Sequence, residues 1–166
     1  MKLSYSILLT LLLTTTGFGV LGDERLELPT RHVLNLAVSK AIATAAAAHA
    51  AEHDWQVDIA IVDHASQLIY FERGDGAPPG SIEISIRKAK TAASYKRPTS
   101  FLSDLVAEGN TALISLPDAI LLEGGVPIVW QDQVLGAIGV SGVTAEQDGE
   151  IGQAAVDALA DILIDK

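Results

Sequence analysis

The residues best suited to chemistry in this chain gather in one short segment. Arg87, Lys88, Lys90, Lys96 and Arg97 stand within residues 87–97 without an acidic neighbour, whereas the whole chain carries 11 basic against 21 acidic side chains. A cationic patch kept on an acidic protein suits a carboxylate or phosphate ligand, and Thr91, Ser94 and Tyr95 add hydroxyl donors and oxygen ligands to it. The plainer reading of the same run is a solvated helix end, where the helix dipole favours cations. A second pattern, His49-Ala50-Ala51-Glu52-His53, has the H-x-x-E-H form of inverted zinc proteases. On a helix its imidazoles would lie one turn apart on one face, with Glu123 downstream as a third ligand. The segment reads as a helix end in a chain far shorter than those proteases. It points to two cations near a helix C-terminus rather than to hydrolysis, with opportunistic binding of zinc or copper as the lesser alternative. Ser85-Ile86-Arg87-Lys88 has the S-x-x-K form of penicillin-recognising enzymes without their companion motifs, and is a chance match. Gly136, Gly139 and Gly142 fall on a strand and turn rather than opening a helix, so they form no dinucleotide fingerprint and read as close packing against a helix.

The elements that must position these residues belong to a chain of 166 residues with a formal charge of −10 and 49% hydrophobic content, enough for one packed domain. Absence of cysteine excludes a disulfide framework, a thiolate zinc site, an iron–sulfur cluster, c-type haem attachment and a lipidated cysteine. The acidic balance argues against nucleic acid and against anionic membrane surfaces as partners. Lys2 precedes an uncharged run from Leu3 to Gly22, the layout of a secretory signal with a cut after Gly19 or Gly22. Residues 1–22 are therefore expected to be a cleaved signal peptide and residues 23–166 a single domain, periplasmic or secreted and free of the membrane. An uncleaved anchor is the competing reading, against which Thr14-Thr15-Thr16-Gly17 speaks.

In that domain the spacing predicts a helix over 30–53, capped by Thr30 and so rich in alanine that a neighbouring element must come close. Strands over 57–63 and 67–72 form a hairpin through His64-Ala65-Ser66. A helix over 81–96 follows, closed by Pro98, and then a short helix capped by Thr99 or Ser100 that ends at Gly109. Residues 110–125 read as an irregular connection. Strands over 126–130 and 134–140 bracket Gln131-Asp132-Gln133, and Thr144 and Gln147 form the capping box of a last amphipathic helix. Hairpins interspersed with helices predict an α+β domain built on an antiparallel sheet.

Six blocks in series resemble the GlcG/HbpS haem-binding family: Ile59-Ala60-Ile61-Val62-Asp63, Phe71-Glu72-Arg73-Gly74-Asp75-Gly76-Ala77, Lys88-Ala89-Lys90-Thr91-Ala92-Ala93, Lys96-Arg97-Pro98-Thr99, Glu123-Gly124-Gly125-Val126-Pro127 and Ile138-Gly139-Val140-Ser141-Gly142. The resemblance implies an α/β (α+β) domain with an antiparallel sheet of about five strands and helices on both faces, similar to profilin-like sensor folds. It also implies homo-oligomers, non-covalent binding of haem b or of free iron, slow haem degradation in some members, and secretion beside a sensor kinase in others. It makes Thr91 the candidate iron ligand and matches Lys88 to the family's lysine, and Arg97, Pro98 and Thr99 to its Arg-Pro-Thr block. Haem propionates would then meet Lys88, Lys90, Lys96 or Arg97, with iron at Thr91, Tyr95 or a histidine. With no cysteine, and with Met1 in the leader, the other nitrogen ligands are His32, His49, His53 and His64. The family turn often reads Asp-x-Gly-Gly, and Asp63-His64-Ala65-Ser66 departs from it, which makes His64 a second candidate metal ligand. No acid–base pair stands out for turnover. The competing function is an extracytoplasmic module that binds a small carboxylate, or serves a sensor, in the same basic pocket without haem. A third is an oligomeric interaction protein with no ligand.

Overall fold

Alternation of side-chain size along the strands decides which helix lies on which face of the sheet. In the computed structural model, which describes residues 26–163, strand β1 (Asp58–Asp63) directs Ile59 and Ile61 to one face and Ala60 and Val62 to the other. Strand β2 (Leu68–Glu72) follows β1, and β3 (Gly125–Trp130) and β4 (Gln133–Ser141) form the second hairpin. The order is β2-β1-β4-β3, antiparallel at every pair, with Ile59 opposite Val140 and Ile61 opposite Ile138. The antiparallel sheet with helices on both faces is thus as expected, with four strands among the described residues where about five were anticipated.

On the large-residue face, α1 (Leu36–Glu52) and α4 (Ala145–Asp157) bury Ile42, Ala46, Ile151 and Ala155 against Ile59, Ile61, Ile138 and Val140. On the other face, α2 (Ser81–Tyr95) sets Ala89, Ala92 and Ala93 against Ala60, Val62 and Ala137. Small side chains on both partners let this helix sit close to the sheet. A Cβ at Gly139 would lie 2.1 Å from the Ser85 carbonyl oxygen and 2.4 Å from Ala89 N. Of the three glycines expected to pack on a helix, Gly139 alone does so. Gly136 is pressed against the backbone of Val62 and Gly142 against that of Gln56.

Local chemistry explains the remaining boundaries. Helix α1 begins at Leu36, later than expected, because Asn35 and not Thr30 supplies the cap: its side chain accepts the Val38 N–H at 2.9 Å. Helix α3 (Thr99–Ala107) has Pro98 at its cap, while Thr99 accepts the Gly125 N–H at 2.9 Å and so fastens the helix to β3. The irregular connection contains a 3-10 turn (Thr111–Ser115). Gln131 and Asp132, with φ of 46° and 59°, supply the left-handed pair that a two-residue hairpin turn requires. Thr144 and Gln147 form the expected capping box, and α5 (Leu159–Ile162) closes the described chain. Residues 26–30 belong to a separate unit and carry no regular structure. The expected signal peptide lies outside the described residues. Among these, no helix is long and apolar enough to cross a membrane.

Replacing Gly139 with Val would drive a side chain into helix backbone that has no rotamer to yield. The expected outcome in urea unfolding is a loss of about 3 kcal/mol with an unchanged denaturant slope.

Candidate ligand-binding site

Residues three and four apart on a helix share a face, and the face of α2 turned away from the sheet presents Glu83, Arg87, Lys90, Ser94 and Tyr95, with Thr91 buried at its edge. These side chains line a cleft of about 540 Å³ together with Ser66 and Gln67 of the β1–β2 turn and Pro117 and Asp118 beyond the 3-10 turn. Hydrogen bonds hold the cleft walls to the helix. The Ser66 and Ser94 hydroxyls meet at 2.8 Å, Tyr95 donates its hydroxyl to the Pro117 carbonyl at 2.7 Å, and Thr91 Oγ1 accepts the Ile120 N–H at 3.0 Å. The β1–β2 turn is itself fixed by Asp63, whose carboxylate accepts the N–H groups of Ala65 and Gln67 at 2.8 and 2.9 Å. The result is two cations, two carboxylates and several hydroxyls around one opening, a charge-balanced, hydrogen-bonding set in which Arg87 and Lys90 are the groups able to meet a ligand's anionic oxygens.

The basic segment divides according to helical phase. Lys90, Thr91 and Tyr95 reach the cleft with Arg87, which belongs to the same run. Lys88 does not. Rotated by about 100° from Arg87, it is 2% exposed on the sheet side, its ammonium donating to Asp148 Oδ2 at 2.6 Å and to the Val140 carbonyl at 3.0 Å. The expectation that Lys88 faces a ligand is therefore replaced by a buried ion pair. Lys96, at the α2 C-cap with φ of 52°, and Arg97, whose guanidinium lies 4.7 Å from the Phe101 ring centroid, are exposed and lie outside the cleft lining. His64 is exposed in the turn and is likewise not among the lining residues. Sequence reasoning missed Glu83, which the step of four before Arg87 would have disclosed. It also missed Ser66, Gln67, Pro117 and Asp118, whose placement depends on loop closure with no periodic signal.

Behind the cleft, Lys88 sits in an acidic surround. Burial pushes the Asp148 carboxyl up and outweighs the Lys88 ammonium and the Val143 and Gly142 N–H groups that hold it down. Glu123 is raised as well, by burial first and then by Asp104, Glu146 and Asp148, with Lys88 opposing. Gly124, at φ of 122°, makes room for the pair: a Cβ there would stand 2.7 Å from Lys88 Nζ.

The fold and site define a small α+β domain, an antiparallel sheet between helices with a polar cleft along α2. Residues 34–157 match the family described as haem degrading protein HbpS-like, and the chain belongs to the HbpS-like family. It is 38% identical to the protein GlcG of Escherichia coli K12 over 112 residues, 68% of this chain and 84% of that protein. A crystal structure of a double mutant of Streptomyces reticuli HbpS is similar at a TM-score of 0.73 and 32% identity, covering 80% of this chain and 90% of that one. A crystal structure of a PduOC:heme complex is similar at a TM-score of 0.68 and 27% identity, covering 76% of this chain and 95% of that one.

Lys88→Ala is expected to lower stability by about 3–5 kcal/mol in urea unfolding, because it leaves the Asp148 carboxylate buried without its cation. Lys88→Met combined with Asp148→Leu should recover most of that loss. Glu123 supplies a pH test. Its folded-state value lies above the ordinary 4.5, so the stability it contributes is full below 4.5 and is lost as pH rises through the raised value. The stability of Glu123→Gln relative to the parent is therefore expected to increase from about pH 4 to about pH 7, measured by unfolding across that range.

Proposed function

We propose that this protein binds haem b non-covalently in the α2 cleft, with slow haem degradation as a secondary activity. The observation that carries the reading is the pair Arg87 and Lys90, one helical turn apart, opening onto a cleft that also holds the oxygens of Thr91 and Tyr95. Membership of the HbpS-like family and the likeness to a protein solved as a haem complex support it. The donor set fits the group: Arg87 and Lys90 would hold the two propionates, and Thr91 or Tyr95 would offer iron a weak oxygen ligand. When bound, haem would supply a redox-active iron, at which peroxide, or dioxygen together with a reductant, would oxidise the ring. The chain's own residues supply charge and position, because Thr91 and Tyr95 are fixed by Ile120 and Pro117. The same proposal places the protein in the periplasm or outside the cell as a homo-oligomer, with a sensor kinase as its partner.

A second reading has its own support. Apart from the Tyr95 ring, Pro117 is the one apolar residue of the cleft lining, and so polar a wall favours a small carboxylate over a flat macrocycle.

Haemin titration separates the two. Saturation at a fixed ratio per subunit with a shifted Soret band is expected, and Arg87→Ala with Lys90→Ala should weaken it by about tenfold or more for each charge-assisted hydrogen bond removed. Lys96→Ala should bind as the parent does. Saturable binding indifferent to the double variant would move the ligand out of this cleft. A response matching that of an acidic control protein, with thermal stabilisation by small carboxylic acids, would establish the second reading.

A further inference from the structure

The H-x-x-E-H pattern is unused by the cleft, and the fold gives it a different third member. His49 lies in the last turn of α1 and His53 at its C-cap, while Glu150 reaches the same place from α4. Neither Glu52 nor Glu123 completes the group; Glu123 packs against Gly149 beside the Lys88 pair. One ligand atom each from His49, His53 and Glu150 falls within 4.8 Å of the others.

We propose that His49, His53 and Glu150 bind a divalent transition-metal ion of the zinc class. Two ligands at about 2.0–2.1 Å from a tetrahedral zinc stand about 3.3 Å apart, and His49 Nε2 lies 3.3 Å from Glu150 Oε1. His53 is already oriented as metal-bound histidines are. Its Nδ1 donates to the His49 carbonyl at 3.0 Å, which leaves the Nε2 lone pair for a metal. Its ring is stacked on Trp55 at 4.5 Å and 19°, so the plane is held. The imidazoles come from one helix end and the carboxylate from the helix packed beside it, so the ligands converge without a loop having to fold around the ion. Two nitrogens and one oxygen suit zinc, and three protein ligands leave a fourth position for water or an exchangeable group. Glu150 is exposed, which gives it the rotamer freedom to close the remaining distance while the His53 ring stays held. None of the three lines the α2 cleft, so this site stands whether or not haem binds there.

The test is a titration of the chelator-treated protein with zinc chloride, followed by calorimetry and by tryptophan fluorescence, since His53 contacts Trp55. One saturable equivalent is expected, with a fluorescence change and a raised Tm. His53→Ala and Glu150→Gln should each weaken binding at least tenfold and abolish the zinc-induced Tm rise, read against each variant's own metal-free Tm because both residues also make metal-free contacts. His64→Ala should titrate as the parent does. Zinc binding equally strong in His53→Ala and Glu150→Gln, or no saturable equivalent in the parent, would overturn the proposal.

Discussion

The ion pair between Lys88 and Asp148 is the interaction around which the rest is arranged. It joins three elements at one point: α2 through Lys88, α4 through Asp148, and β4 through the Val140 carbonyl that accepts a second hydrogen bond from the ammonium. Two charges removed from water are tolerable only when the lone pairs and protons around them are used. Here the Val143 N–H takes the other Asp148 oxygen, and the Gly124 carbonyl accepts from Val140 N at 2.9 Å while its missing side chain leaves space for the ammonium. Gly125 is tight for a different reason, the close approach of α2 backbone to the strand: a Cβ on it would meet the Lys88 carbonyl and the Thr99 methyl. Glu123 and Gly124, the two residues before β3, flank this buried pair.

The pair also settles the rotation of α2. With Lys88 directed inward beside Ala89 and Ala92, the opposite side of the helix must carry Arg87, Lys90 and Ser94 outward. Alanine and glycine between helix and sheet fix the distance, and the buried lysine fixes the phase. Charge and cleft are thus two faces of one helix.

Much of this is legible in the residues. Strand alternation in Ile59-Ala60-Ile61-Val62, the Thr144–Gln147 capping box and the hairpin at Gln131-Asp132 are local signals, and the structure follows them. The start of α1 is harder to place because Thr30 and Asn35 are both good caps and local chemistry does not choose between them. Lys88 misleads because a run of five cations looks like one patch until it is wound onto a helix, after which a buried acid from a segment 60 residues away claims one of them. Asp148 carries no mark of that role, being an ordinary first-turn acid of α4. The same holds for Glu150, whose nearness to His49 arises only from the packing of α1 on α4. Pro117 and Asp118 reach the cleft through a connection whose path follows from tertiary packing alone.

The close seat of α2 has a consequence for how the family can diversify. A helix pressed on glycine and alanine, and anchored by a buried charge, has little freedom to slide or roll, so the backbone that carries its outward side chains is held in place before any ligand arrives. Binding there has side chains to order on the helix side but no backbone. The adjustable wall is the one built from the 64–67 turn and the 116–120 connection, attached to α2 by hydroxyl and backbone hydrogen bonds. Substitutions in those two segments can reshape the opening for a different molecule while the core keeps its packing, which separates the evolution of selectivity from the maintenance of the fold.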